Sequence, residues 1–191
     1  MGQSNEGAMM RVVERIEIRP ADVEHDAALI RSLDTSFETG TILDVEADAR
    51  GFRLVEKTIE PPLSKAFDLG RLDAAHEWER VWLALDGDQA VGVIATQHVM
   101  WNRRVIIWHL YVNTTHRARG IGRRLLDTAL SAAREAGVRT AWLETTNLNL
   151  PGVQAYERLG FQLCGLDTSL YDATASEGEV ALFLCRPLIV E

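Results

Sequence analysis

The chain has 191 residues, the size of one ordinary domain, and its 47% hydrophobic and 25% charged content is that of a folded globular protein. Twenty Lys and Arg against 28 Asp and Glu give a net charge of −8, which repels phosphate backbones and argues against a nucleic-acid partner. No apolar run approaches the roughly 20 residues that span a bilayer, so no membrane partner is expected; the two cysteines, Cys164 and Cys185, make neither a disulfide framework nor a metal cluster and fit a reducing cytoplasm.

Residues 1–12 lack an apolar stretch and read as a flexible leader, with a single domain over 13–191. Arg15–Arg19 has the pattern of a short strand. Pro20 and Asp22 then open a helix carrying Val23, Ala27, Ile30 and Leu33, with Asp22 as its cap. Residues 34–50 are polar, Phe52–Ile59 predicts a strand that Pro61-Pro62 should end, and Ser64 to Glu77 has no clear period. Val81–Leu85 and Ala90–Thr96 flank Asp86-Gly87-Asp88, a hairpin signal, and Val105–Val112 follows as a further strand. Ile121, Leu125, Leu126, Ala129, Leu130 and Ala133 recur at helical spacing until Gly137. Thr140–Thr145 is a strand, Pro151 begins a helix that stops at Gly160, and Phe161–Leu166 and Val180–Cys185 are two last strands. This order predicts an α/β fold with a mixed, mostly antiparallel central sheet flanked by helices.

The sharpest chemical signal is Arg117-Ala118-Arg119-Gly120-Ile121-Gly122, between a strand and the strongest helix. The first N–H groups of a helix have no backbone partners and sit at the positive end of its dipole, so such a turn can cradle a phosphate. Arg117, Arg119, Arg123 and Arg124 add positive charge. A glycine-rich turn can equally be only a tight connection. Here Asn149, Tyr156 and Gly160-Phe161 follow at a fixed distance, which favours a ligand site.

Leu110-Tyr111-Val112, then R-x-x-G-x-G, then Asn149, Tyr156 and Gly160-Phe161 together resemble the GNAT acetyltransferases, from about Arg15 onward. The resemblance implies acetyl-coenzyme A as donor substrate. It implies that Ala118, Arg119, Gly120, Ile121, Gly122 and Arg123, with Arg117, hold the pyrophosphate, that Leu110, Tyr111 and Val112 run beside the pantetheine, that Asn149 touches the pantetheine and that Tyr156 reaches the sulfur. Ser36-Phe37, Gly51-Phe52, Pro61-Pro62-Leu63, Trp101-Asn102-Arg103 and above all Leu163 to Asp172 are similar to the streptothricin (nourseothricin) acetyltransferase group, which acetylates the β-lysine amine of that antibiotic. Where that group carries an acidic pair before the cofactor turn, this chain has Trp108-His109. GNAT proteins are often dimers, so a homodimer is part of what the resemblance implies.

Acetyl transfer to an amine needs a neutral nucleophile, and an alkyl ammonium has a pKa of about 10. A base must take the proton and an acid must assist the departing thiolate. Tyr156 is the candidate acid; His109 and, through water, Glu144 are the candidate bases. Asp34, Glu38, Asp167 and Asp172, with Trp108 and His109, are the candidate contacts to a cationic small-molecule amine. No His spacing suggests a metal. Two other readings stay open: acetylation of a different amine, such as a polyamine or a protein N-terminus, and a non-catalytic acyl-coenzyme A sensor.

Overall fold

A computed structural model of the chain describes residues 16–69 and 78–188. The leader expected at 1–12 lies outside these residues, as does most of the stretch from Ser64 to Glu77 that had no clear period. The elements are β1 (Glu17–Pro20), α1 (Ala27–Arg31), β2 (Phe37–Asp48), β3 (Gly51–Lys65), β4 (Arg80–Asp86), β5 (Gln89–Val99), β6 (Arg104–Val112), α2 (Ile121–Glu135), β7 (Thr140–Thr146), α3 (Leu150–Arg158), β8 (Gln162–Asp167) and β9 (Ala181–Pro187). Seven strands form one sheet in the order β1-β4-β5-β6-β7-β9-β8. Only the β6–β7 pair is parallel, so the expected mixed, mostly antiparallel sheet flanked by helices is what forms. Among the described residues no helix is long and apolar enough to cross a membrane.

The two sheet faces have separate cores. Ile121, Leu125, Leu126, Ala129, Leu130 and Ala133 of α2, the residues that set its period, are buried against Val91, Ile94, Val105 and Ile107, with Leu150 and Val153 of α3 in the same cluster. Burying one such Leu or Ile fully is worth about 1.5–3 kcal/mol, so this stripe fixes where α2 begins. On the opposite face Ile30 and Leu33 pack with Leu83, Leu85, Val93, Ala95 and Trp78.

Two expectations differ from the structure. Asp22 does not cap α1: its Oδ1 accepts from the N–H groups of Glu24 and His25 in the preceding turn, and the helix starts only at Ala27. Asp26, before it, is instead bound to both terminal nitrogens of Arg19 at 2.8 Å. Residues 34–50 are not merely polar loop, and Pro61-Pro62 does not end the following strand. β2 and β3 pair into a long two-stranded ribbon. Its ladder is irregular where Thr39 faces Leu63 and Thr41 faces Thr58, and the prolines lie in that interruption, where no ladder donor is needed. The ribbon is tied to the main sheet by Asn147, whose backbone and side chain both bond Leu43.

α3 depends on a side-chain cap. Asn149 Oδ1 accepts from Gly152 N at 3.1 Å while its Nδ2 donates to Thr145 Oγ1 of β7 at 3.1 Å. A Cβ on Gly152 would overlap the Asn149 side chain, so glycine is required by close approach. Asn149→Ala should lower stability by about 1 kcal/mol in chemical denaturation. Gly152→Ala should cost more, because it displaces the cap and adds a clash; a Gly152→Ala variant as stable as the wild type would contradict this packing.

Candidate active site

The site begins where β6 parts from β7. Their pairing runs only from Arg104↔Thr140 to Ile107↔Leu143. On the other side of β6, Ala95 faces His109 while Thr96 faces Ile107, so Trp108 is an extra residue, a bulge. Bulges bend a strand and re-aim its side chains. Val105 and Ile107 lie in the α2 core before the bulge, and Leu110 and Val112 pack against that core after it. Tyr111 packs toward the α1 core on the other face.

The last part of β6 therefore has a free edge. Asn113 N donates to Val91 O, which makes that pair a hydrogen-bonded one. Antiparallel ladders alternate, so Tyr111 N–H faces β5 while Leu110 N–H, Leu110 C=O and Val112 N–H face the gap. Val112 C=O is taken by Arg117 Nε at 3.0 Å.

This gap is the floor of a cleft of ≈ 690 Å³. Its walls include Leu110, Tyr111 and Val112 of β6, Arg117, Ala118, Gly120, Ile121 and Gly122 of the glycine turn, and Asn149, Gly152 and Tyr156 of α3. Among the described residues none that lines it is acidic, although the chain carries a net charge of −8. Gly120 is the residue before α2 and has φ 78, a conformation costly for any other residue type except Asn or Asp; no side chain caps the helix, so its first N–H groups stay available. Ala118 has φ 61, an unusual left-handed value for a residue with a Cβ.

The arginines are less free than the sequence suggests. Arg117 Nη2 donates to Ser36 O at 2.5 Å, so its guanidinium stitches the turn to β6 and to the segment before β2. Arg123 bonds the carbonyl of Arg158 at the end of α3, and Arg124 bonds that of Ile16. Arg119 is exposed at the turn. The Asn149 side chain is committed to its cap, although the residue lines the cleft. Phe37, Phe67, His116 and Arg158 also line it and were not singled out from the sequence as site residues. Phe37 and Phe67 lie on segments far from the motifs, and His116 and Arg158, although beside or within them, are not among the residues that define the pattern.

Tyr156 opens onto the cleft and sits edge-on to Phe161, with ring centroids 6.0 Å apart. Burial pushes its phenol up to about 12. His109 points to the α1 side, between Trp78 at 5.3 Å and Tyr111 at 5.8 Å. Burial pushes its imidazole down to about 4, so it is neutral at pH 7, and its Nδ1 is buried without a hydrogen-bond partner. Trp108, 40% exposed, donates from Nε1 to Gln97 at 3.2 Å. Glu144 lies beyond the parallel pairing, on the face opposite Leu143, and accepts a 2.7 Å hydrogen bond from Tyr171.

The four acids expected at the amine lie outside this cleft, in surroundings of their own. Asp34 accepts from Ser36 N and Thr114 Oγ1, both at 2.9 Å, and the Ser36 side chain, followed by the other bonds, lowers its pKa. Asp167 closes a turn by accepting from the N–H and hydroxyl of Ser169 at 2.8 Å. Glu38 is exposed opposite Ser64 on the ribbon, and Asp172 is exposed in the β8–β9 connection.

The profile of the acetyltransferase (GNAT) family matches residues 46–161. The chain is 44% identical to streptothricin acetyltransferase of Streptomyces lavendulae over 171 residues, covering 85% of this chain and 90% of that one. Among solved structures it is similar to nourseothricin acetyltransferase, at 40% identity and a TM-score of 0.82, covering 91% of this chain and 99% of the other. A Bacillus anthracis protein described as a streptothricin acetyltransferase, solved with acetyl coenzyme A, has the same fold at 24% identity and a TM-score of 0.75, with 91% and 99% covered. A split sheet edge, a bare helix N-terminus and a tyrosine facing both thus occur here in a chain that belongs to the GNAT acetyltransferase family.

Proposed function

We propose that this protein transfers the acetyl group of acetyl-coenzyme A to a primary amine of streptothricin, the β-lysine amine, and so confers resistance to that antibiotic in the cytoplasm. The observation that carries the reading is one cleft, without an acid among its described residues, bounded by the unpaired edge of β6, the uncapped start of α2 and Tyr156. The similarity over 85% of the chain to a streptothricin acetyltransferase supports the choice of amine.

The cleft fits the donor. The N–H groups at the start of α2 suit a pyrophosphate, and Gly120 and Gly122 put no side chain in its way. Leu110 N–H and C=O and Val112 N–H can pair an extended diamide as a neighbouring strand would. Bound there, acetyl-coenzyme A would supply an acyl group activated as a thioester. A gap-facing N–H of β6 would stabilise the charge that grows on the carbonyl oxygen during attack.

Tyr156 would serve the leaving sulfur. With its pKa at about 12 it stays protonated at any physiological pH. A thiol has a pKa near 8.5, so complete transfer from this phenol is uphill and its main contribution is a hydrogen bond to the developing thiolate. His109 and Glu144 share the other side. The amine would enter as its neutral fraction, the ammonium proton having gone to solvent; its nitrogen then becomes acidic as the bond to carbon forms, so a weak acceptor suffices at that stage. Neutral His109, with Nδ1 unpartnered, is such an acceptor, and Glu144 with Tyr171 offers a route toward solvent.

Thiol release from acetyl-coenzyme A with streptothricin, a polyamine and an N-terminal peptide tests the proposal. Release should be fastest with streptothricin. Its absence there, with clear release on another amine, would assign a different acceptor, and no release with any amine would favour a sensor.

Gly122→Val should weaken coenzyme A binding in calorimetry without unfolding the chain. Its Cβ meets Val112 only at an ordinary 3.7 Å, so the loss would come from the branches entering the gap. Unchanged affinity would remove the α2 start from the donor site. Tyr156→Phe should lower kcat by about 10²–10³-fold, the usual cost of one preorganised donor, while coenzyme A affinity holds. An unchanged kcat with chemistry rate-limiting would take Tyr156 out of the mechanism.

The lowered pKa of His109 also predicts the pH profile. Its ring is neutral above about 4 in the folded protein, so the rise of kcat/KM from pH 5.5 to 8, which comes from the growing neutral fraction of an amine of pKa about 10, should show no inflection near 6.5, roughly the value of a free imidazole. An inflection near 6.5 that disappears in His109→Gln would show an exposed, titrating imidazole instead.

A further inference from the structure

The cleft is lined by three aromatic rings from three separate segments, Phe37, Phe67 and Tyr111. Phe67 stacks on Phe37 with ring centroids 5.8 Å apart and packs on Tyr111 at 5.6 Å. Tyr111 packs toward the α1 core on one face of the sheet, whereas Tyr156 of α3 packs with the α2 core on the other. Both line the same cleft, so the cleft reaches from one face to the other beside Leu110. Burial, and then the charge of Tyr156, raise the pKa of Tyr111, as expected of two phenols near enough to sense one another.

This aromatic wall is braced from several directions. Thr35, buried and also lining the cleft, donates from Oγ1 to Phe67 O at 2.6 Å and accepts from Phe67 N at 3.0 Å. That two-way bond fixes the backbone of Phe67 to the segment before β2. Arg117 fixes the same segment to the glycine turn through Ser36 O. The Lys65 ammonium lies 5.7 Å from the centroid of the Phe67 ring, a favourable place for a cation, and is itself held by Glu179 and by Ser176 Oγ at 3.1 Å. The Phe37 ring behind the stack is buried. A ring tied in this way cannot easily move aside, so an added methylene meets it as overpacking.

We propose that the wall of Phe37, Phe67 and Tyr111 closes the acyl end of the cleft, with Phe67 setting the acyl length, so that the enzyme takes acetyl-coenzyme A and rejects donors with longer acyl chains. The proposal rests on the acetyl-transfer reading and on its placing of the sulfur beside Tyr156. The acyl carbon is bonded to that sulfur, and a gap-facing N–H of β6 holds its oxygen. Its remaining substituent then points across the strand to the face of Tyr111, where Phe67 stands. A methyl group fits against the ring, and a propyl chain has to displace it. One methylene in an apolar pocket commonly changes discrimination by about 10–200-fold, so two are easily measured.

Calorimetry on the full chain with acetyl-coenzyme A and butyryl-coenzyme A tests this without any acceptor amine. The wild type should bind the acetyl donor at least about tenfold more tightly. Phe67→Ala should remove most of that ratio by tightening the binding of butyryl-coenzyme A itself, which damage to the fold would not do. Thiol release from butyryl-coenzyme A with streptothricin should rise in the same variant, as the KM for that donor falls. Phe67→Leu should move the ratio the same way by a smaller factor, and stands in if the alanine variant does not fold. Equal binding of the two donors to the wild type would overturn the proposal, whatever the variants do. A ratio unchanged in the folded variants would overturn it as well, leaving Phe67 a packing partner of Tyr111. The parent reading fails differently, by the absence of thiol release from acetyl-coenzyme A with every amine, whatever the binding ratio.

Discussion

The early parting of β6 from β7 is the constraint on which the rest of this molecule depends. A parallel pair that ended with its strands would leave no free backbone in the middle of the sheet. Here the pairing stops at Ile107↔Leu143, the bulge at Trp108 turns the strand, and Leu110 and Val112 present polar groups to a gap. Unpaired backbone inside a sheet is costly unless a partner supplies hydrogen bonds. The glycine turn then follows β6 directly, so the gap and the bare start of α2 face one another across one cleft.

Charge is divided between the two sides of this gap. Among the described residues the cleft has no acid in its walls, which would suit phosphates, despite the acidic composition of the chain. The side bearing Tyr111 has Glu144 and Glu179, with Lys65 between the ribbon and the β9 segment. The arginines near the turn contribute mainly by holding it: Arg117 fixes β6 to the segment before β2, and Arg123 fixes α2 to α3.

The parts of this arrangement that are local in sequence were legible in it. The α2 period, the Asp86-Gly87-Asp88 hairpin and the Arg117–Gly122 turn each need only neighbouring residues to declare themselves, and the order of the elements gave a mixed, mostly antiparallel sheet but not the separation of β2 and β3 from its seven strands. The ribbon was harder to read, because Pro61-Pro62 ordinarily ends a strand and only the irregular ladder beside Thr39 removes the conflict. The acids have structural bonds that the sequence did not show. Asp34 and Asp167 are spent on N–H groups two residues away, as Asp in turns commonly is, and a resemblance between segments does not distinguish a turn former from a ligand. For His109 the residue was visible and its surroundings were not: the rings of Trp78 and Tyr111 keep it neutral.

Residue-resolved amide hydrogen exchange, with and without acetyl-coenzyme A, tests the central claim most directly. If the free edge of β6 pairs the donor, the amides of Leu110 and Val112 should exchange fast in the free protein and become strongly protected on binding. Tyr111, already bonded toward β5, should change little. Saturating donor that leaves Leu110 and Val112 exchanging as before would contradict the account.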